Sequence, residues 1–218
     1  MADVFTTILF DMDGVLLESE LWMLACSRNL LEQYGRKVSD AELLKLTGTP
    51  EEYYDAHMAA FLGLPLEKYR RISAPYFKAH PMPYAELTVP GASELLLWLS
   101  QHGYQLGLVT SDTAFRTDRK LEQTGWTSFF DVVVTDDMVQ NSKPDPEGYL
   151  RAARLLGAEA SECLVVEDSR LGVSAARAGG KAVAAGEEDP GPQDISKADI
   201  QIETLKEIKE ILLAGRKE

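Results

Sequence analysis

Five short runs of mostly apolar residues, each too brief for a helix, recur along this chain with helical stretches between most of them. They are Ile8-Leu9-Phe10, Gln105–Thr110, Val132-Val133-Val134, Leu164-Val165-Val166 and Ala182-Val183-Ala184. Runs that are apolar throughout belong to strands buried on both faces. Helices between such strands require a parallel sheet covered on both sides. Helical periodicity falls over about residues 91–102, 114–124, 146–156 and 170–178. The stretch Ile202–Leu213 is expected to end the chain as a helix with a charged outer face. Gly186–Gln193, rich in Pro, Gly and acid, reads as an exposed loop.

The first two runs are separated by a region of another kind. Leu21, Leu24, Leu30 and Leu31 lie on one helical face, ending at Tyr34-Gly35. Leu43, Leu44 and Leu46 suggest a second helix, broken at Gly48-Thr49-Pro50. Tyr53, Tyr54, His57 and Phe61 fit a third face, and Tyr69, Ile72, Tyr76 and Phe77 a fourth. Pro81, Pro83 and Pro90 close this region, and Pro90-Gly91 marks the return to strand–helix alternation. The expected architecture is therefore α/β. A parallel-sheet unit comprises residues 1–17 and 87–218, and an α-helical unit is inserted over 18–86. An insert leaving at the carboxyl end of the first strand is placed to act as a lid.

The residues that follow the strands are chemically related. Ile8-Leu9-Phe10 stops at Asp11, Asp13 and Gly14, delivering two carboxylates to the sheet edge where open α/β folds bind ligands. Carboxylates so close repel each other and call for a cation between them, although Asp-Gly is also ordinary turn chemistry. The second run ends in Thr110-Ser111-Asp112, which offers hydroxyls and helix-start amides to an anion, or simply an N-cap. Lys143 stands just past the third run, after Asp136-Asp137 and before Pro144, where an ammonium can neutralise phosphate and clustered carboxylates. The fourth run ends in Glu167-Asp168-Ser169, two more acids with a serine or aspartate suited to cap the next helix.

Composition narrows the partners. A net charge of −13 makes nucleic acid and anionic membrane poor surfaces for binding. A bound cation and a few lysines can still admit an anionic small molecule to a cleft. No apolar stretch approaches the ~20 residues of a membrane span. No basic leader precedes an apolar segment, and Cys26 and Cys163 match no disulfide or zinc spacing, so the cytoplasm is the expected compartment.

The four motifs, Phe10-Asp11-Met12-Asp13-Gly14-Val15-Leu16, Val109-Thr110-Ser111, Lys143-Pro144 and Val166-Glu167-Asp168-Ser169, occur in an order that resembles the haloacid dehalogenase superfamily of phosphatases and phosphomutases. The resemblance extends to Val89-Pro90-Gly91, to Asp136-Asp137 and to the small-residue stretch Leu171–Gly180. It implies a Rossmann-like core with an α-helical cap. By the same resemblance, Asp11 is the nucleophile that becomes an aspartyl-phosphate, and Asp13 protonates the leaving alcohol and then activates water. Mg²⁺ is held by Asp11, the main-chain carbonyl of Asp13, Asp168 and Glu167. Lys143 neutralises charge, and Thr110 with the amides of Ser111 and Asp112 binds the phosphoryl group.

Members that cleave carbon–halogen bonds lack a carboxylate at the Asp13 position, so Asp13 speaks for phosphoryl chemistry. Mutases of the β-phosphoglucomutase type resemble this chain but carry a cap histidine where Met23 stands here. They also have an arginine after the cap-loop glycine, where this chain has Thr49, Pro50 and Glu51. Both departures favour hydrolysis. Loss of Asp11 or Lys143 would mark a non-catalytic binding member, and neither is lost. The expected substrate is a small phosphorylated metabolite, such as a sugar phosphate. Glu20, Met23, Glu51, Tyr54, Arg70, Arg71 and Lys78 are the candidate selectors, while His57, His80 and His102 form no cluster.

Overall fold

A computed structural model describes residues 5–46, 49, 51–185 and 194–215. In chain order the elements are β1 (Thr7–Phe10), α1 (Ser19–Gln33), α2 (Asp40–Leu44), α3 (Glu51–Leu62), α4 (Leu66–Ala79), α5 (Ala92–Gln101), β2 (Gln105–Val109), α6 (Ala114–Thr124), β3 (Val132–Val134), α7 (Glu147–Leu156), β4 (Cys163–Glu167), α8 (Arg170–Gly179), β5 (Lys181–Ala185), β6 (Ile200–Ile202) and α9 (Glu207–Gly215). They fall into two compact units, Met1–Glu18 with Tyr84–Glu218, and Ser19–Pro83.

The first unit is built on one six-stranded parallel sheet of order β3-β2-β1-β4-β5-β6. Successive side chains along a strand point to opposite faces, and the core divides accordingly. Ile8, Phe10, Leu106, Leu108, Leu164 and Val166 pack with Leu95, Leu96 and Leu99 of α5, Leu121 of α6 and Ile208 and Leu212 of α9. Leu9, Val109 and Val165 face the other way, against Tyr149, Ala152 and Ala153 of α7 and Ala175 and Ala176 of α8. The strand order reverses direction between β1 and β4, the switch point at which sheets of this kind open a crevice beyond the strand ends.

The insert leaves and rejoins this unit at neighbouring points. Leu17 and Thr88 form an antiparallel bridge, Glu18 N–H donates to Leu87 O at 2.8 Å, and Val89 N–H donates to Leu16 O at 2.9 Å. The helical unit has its own core of Cys26, Leu30, Leu31, Leu43, Met58, Leu62 and Tyr69. Ser39 and Glu42 form a reciprocal capping box that starts α2.

Two expectations need correction. Ile202 does not begin the last helix: Ile200–Ile202 is a sixth strand, paired with β5, and α9 starts at Glu207. Asp199 anchors it, its amide donating to Ala182 O at 2.9 Å and its carboxylate accepting from Ala182 N–H at 3.0 Å. Neither Ser111 nor Thr110 caps α6. The N-cap residue is Thr113, and the Ala114 amide donates to Asp137 Oδ1 at 3.2 Å, a carboxylate from beyond β3. The expected loop Gly186–Gln193 and the break residues Gly48 and Pro50 lie outside the described residues.

Candidate active site

Asp11 follows β1 directly, and its amide donates to Val166 O at 3.0 Å, fixing its register beside β4. The chain then turns sharply, with Gly14 N–H donating to Leu17 O at 2.8 Å. Gly14 has a φ of +85°, and a Cβ there would lie 1.8 Å from Asp168 Oδ2. Glycine thus allows both the left-handed turn and the close approach of the fourth-strand acid to the first-strand loop. As a result Asp11, Glu167 and Asp168 each present an oxygen within 4.8 Å of the others, a spacing suited to one cation.

Lys143 arrives from the loop after β3, where the Lys143–Pro144 peptide is cis. Its Nζ donates to Asp11 Oδ1, to Glu167 Oε1 at 2.7 Å and to Val109 O at 3.2 Å. Glu167 is fully buried and carries a heavy load of donors. Besides Lys143, Oε1 accepts from the Tyr149 hydroxyl at 2.6 Å, and Oε2 accepts from the Asp168 amide at 3.1 Å and the Ser169 hydroxyl at 3.2 Å. Ser169 also caps α8, accepting from Gly172 N–H at 3.0 Å.

Charge is scarce on the positive side. Burial pushes Asp11 up to about 7, against the pull of Lys143 and with further upward pressure from Glu167 and Asp13. Burial also works against the Lys143 charge, but Asp11 and Glu167 outweigh it and hold the ammonium well above the ordinary lysine range. The ion pairs of Asp11, Asp13, Asp112 and Glu167 bring in Lys143, Lys120 and the more exposed Arg116, against five carboxylates once Asp168 is counted. That imbalance, with a donor set made of carboxylate oxygens, suits a hard divalent ion.

Gly172 makes room for Glu167, since a Cβ on residue 172 would meet the Glu167 carboxylate at 1.9–2.0 Å. Gly172→Ala is expected to displace that carboxylate and, through it, Lys143. Overpacking of this kind costs about 1–3 kcal/mol, read as a lower thermal midpoint. Misplacing reactive groups by an ångström costs roughly a hundredfold in turnover. Near wild-type values of both would show that the Glu167 position is not set by this contact.

The loop after β2 departs in detail from its expected form. Thr110 is buried, and its Oγ1 accepts from the Asp112 amide at 3.1 Å, so that amide already has a partner within the loop. The Asp112 carboxylate pairs with Lys120 at 2.9 Å and Arg116 at 3.6 Å. Thr110, Ser111, Asp136, Ser142, Lys143 and Tyr149 are among the residues lining a small cavity of about 20 Å³. That volume suits a water molecule, not a metabolite.

Sequence reasoning missed two residues here. Tyr149 falls within the helical stretch 146–156 with nothing to single it out, yet its hydroxyl donates to Glu167. Lys120 of α6 is nearly buried and donates to both Asp13 oxygens, at 2.7 and 2.5 Å. The available signal was positional. Thr117, Lys120, Leu121 and Thr124 share one helical face, and Thr117 and Leu121 are buried, so a lysine among them must find acids inside.

Among the expected selectors, Tyr54 is hydrogen-bonded to the Ser27 hydroxyl at 2.5 Å and Arg70 to Asp55 at 2.9 Å, giving both a role within the helical unit. His57, His80 and His102 each place Nδ1 2.8–2.9 Å from the carbonyl four residues earlier. Cys26 and Cys163 are buried free thiols. Among the described residues no helix is long and apolar enough to cross a membrane.

An open parallel sheet that gathers carboxylates from its two central strands beside a lysine is the arrangement in which α/β enzymes bind ligands at the switch point of the sheet. The family described as haloacid dehalogenase-like hydrolase matches residues 8–185, and the chain belongs to it. It is 33% identical over 207 residues to the validoxylamine A 7'-phosphate phosphatase of Streptomyces hygroscopicus subsp. limoneus, covering 94% of this chain and 97% of that one. It is 29% identical to the phosphorylated carbohydrates phosphatase of Thermotoga maritima, covering 79% and 81%. The crystal structure of a HAD family hydrolase from Deinococcus radiodurans R1, with bound phosphate and sodium, has the same fold: TM-score 0.82 at 24% identity, covering 98% and 97%. Against two larger plant relatives the chain spans 17% and 54% of their length.

Proposed function

We propose that the protein is a Mg²⁺-dependent phosphatase of a small phosphorylated metabolite, a sugar phosphate being the favoured class. The observation that carries this reading is Lys143 held between Asp11 and Glu167, with Asp168 brought alongside by Gly14. In this reading Asp11 attacks phosphorus and takes the phosphoryl group, while Asp13 gives a proton to the departing alcohol and later takes one from the attacking water. Lys143 offsets the charge of Asp11 and of the incoming phosphate, and Thr110 and the Ser111 amide orient the phosphoryl oxygens. Asp11, Asp168 and the Asp13 carbonyl would hold the ion, with Glu167 adding charge while its hydrogen bonds keep Lys143 in place. When bound, the ion supplies positive charge to the phosphoryl oxygens. The unit Ser19–Pro83 is the proposed cap that selects the substrate. Met23 cannot transfer a proton, and a carboxylate at Glu51 would repel a second phosphate, so both departures favour hydrolysis over mutase chemistry. Both near relatives named above are phosphatases.

Phosphate release from p-nitrophenyl phosphate is expected with Mg²⁺, to vanish with excess chelator and to return when Mg²⁺ is restored. Mg²⁺ should also raise the thermal midpoint of the metal-free protein, as any ligand of the native state does. Undiminished release in excess chelator would remove the metal from the reading. Failure to release phosphate under any condition would remove the phosphatase.

A further inference from the structure

We infer that Lys120 is a positioning residue for the reaction: it holds the Asp13 carboxylate in place for proton transfer to the leaving alcohol. The inference rests on the reading of Asp13 as proton donor and adds a residue that none of the four motifs contains. Lys120 lies in α6, 107 residues from Asp13, with its side chain 5% exposed. Its Nζ donates to Asp13 Oδ1 at 2.7 Å and to Oδ2 at 2.5 Å, so both oxygens of one carboxylate are held by one ammonium. The ammonium is fixed in turn from two other sides. Asp112 Oδ2, beyond β2, lies 2.9 Å away, and the Tyr84 ring lies beneath it with its centroid at 5.8 Å.

A structural account of a buried lysine needs only that its charge be matched, and one carboxylate would suffice. The geometry goes further. Asp13 is 30% exposed at its side chain, the more accessible partner, while Asp112 is 16% exposed. The lysine therefore reaches outward from a packed helix to a carboxylate at the open edge of the sheet, and a second acid keeps it aimed there. A short side chain on a turn has rotamers to choose from, and a cation bound through both oxygens selects one of them. To act as donor, Asp13 carries the proton on one oxygen, which gives up its bond from Lys120 and faces the alcohol, while the ammonium keeps the other oxygen. The donor must lie within hydrogen-bond reach of the oxygen it serves.

The test uses leaving groups. Glycerol phosphate releases an alkoxide that needs a proton, whereas p-nitrophenyl phosphate releases a stable phenolate. kcat/KM reports the step in which that group departs, so the ratio of the two values reads proton donation and not general integrity of the fold. Lys120→Met is expected to lower the glycerol phosphate to p-nitrophenyl phosphate ratio about thirtyfold, a share of the hundredfold or more that positioned acid catalysis contributes. Lys120→Arg should restore most of it, and Asp13→Asn should lower the ratio at least as far. Lys120→Gln is read in the same way if Lys120→Met does not fold, with folding judged by circular dichroism. An unchanged ratio in the Lys120 variants, with a lowered one in Asp13→Asn, overturns the positioning role. An unchanged ratio in all of them overturns Asp13 as proton donor, and the inference with it.

Discussion

Asp11→Asn is expected to abolish phosphate release, by a factor on the order of 10⁴ or more, as removal of a nucleophile does elsewhere. The substitution keeps the size and the hydrogen-bonding outline of the side chain and removes its capacity to form a stable acyl phosphate. It should not unfold the protein. Asp11 is buried in a cluster short of positive charge, and burial pushes its pKa up to about 7. A carboxyl with a raised folded-state pKa binds protons more tightly when folded. Its contribution to stability in the metal-free protein therefore falls as pH rises from the ordinary carboxylate range, 3.8, through about 7. Above that window the Asn variant, free of this cost, should melt no lower than the parent when metal is absent. Full loss of turnover with an equal or higher thermal midpoint would separate chemistry from folding. Residual turnover above about a tenth of the parent's would remove Asp11 from the nucleophile's role.

Lys143→Ala should be the next most damaging change, and it should affect stability as well. Removing the ammonium leaves Asp11 and the fully buried Glu167 facing one another without the cation they share. Breaking a buried pair from one side costs about 3–5 kcal/mol. Turnover should fall by about a thousandfold, combining lost charge stabilisation with loosened placement of Asp11. Mg²⁺ should recover part of the thermal midpoint, because an added cation relieves the same carboxylates, but it should not recover turnover. Melting curves with and without Mg²⁺, beside p-nitrophenyl phosphate assays, test both halves. Near-normal turnover would show that Lys143 is not needed to neutralise the reacting groups.

The strands that carry the site were legible because parallel strands buried on both faces leave little choice but short apolar runs, and the residues just past them stand out as polar. Asp11, Lys143, Glu167 and Asp168 could be picked out one run at a time; that they converge follows only from β1 lying between β2 and β4. What sequence could not show were features with two readings of equal weight. Ile200-Gln201-Ile202 is one strand of three residues, but Ile202, Leu205 and Ile208 also share helical spacing, and the longer pattern conceals the shorter. The α6 start looked capped from within its own sequence, yet Asp137 supplies the acceptor from another loop. Lys120 stands at none of the strand ends, and its acids lie 107 and eight positions away, so only folding brings them together.

The paired backbone at Leu16–Glu18 and Leu87–Val89 has a consequence for how such a chain can vary. Two segments already joined by a ladder of hydrogen bonds can be linked by a tight turn or by a whole folded module, and the sheet registers the same neighbours either way. Lengthening the connection adds loop-closure entropy only logarithmically, on the order of a few kcal/mol for a module of this length. The carboxylates at the ends of β1 and β4 are thereby insulated from changes in the inserted module, which is free to be exchanged, grown or trimmed while the sheet that holds them stays fixed.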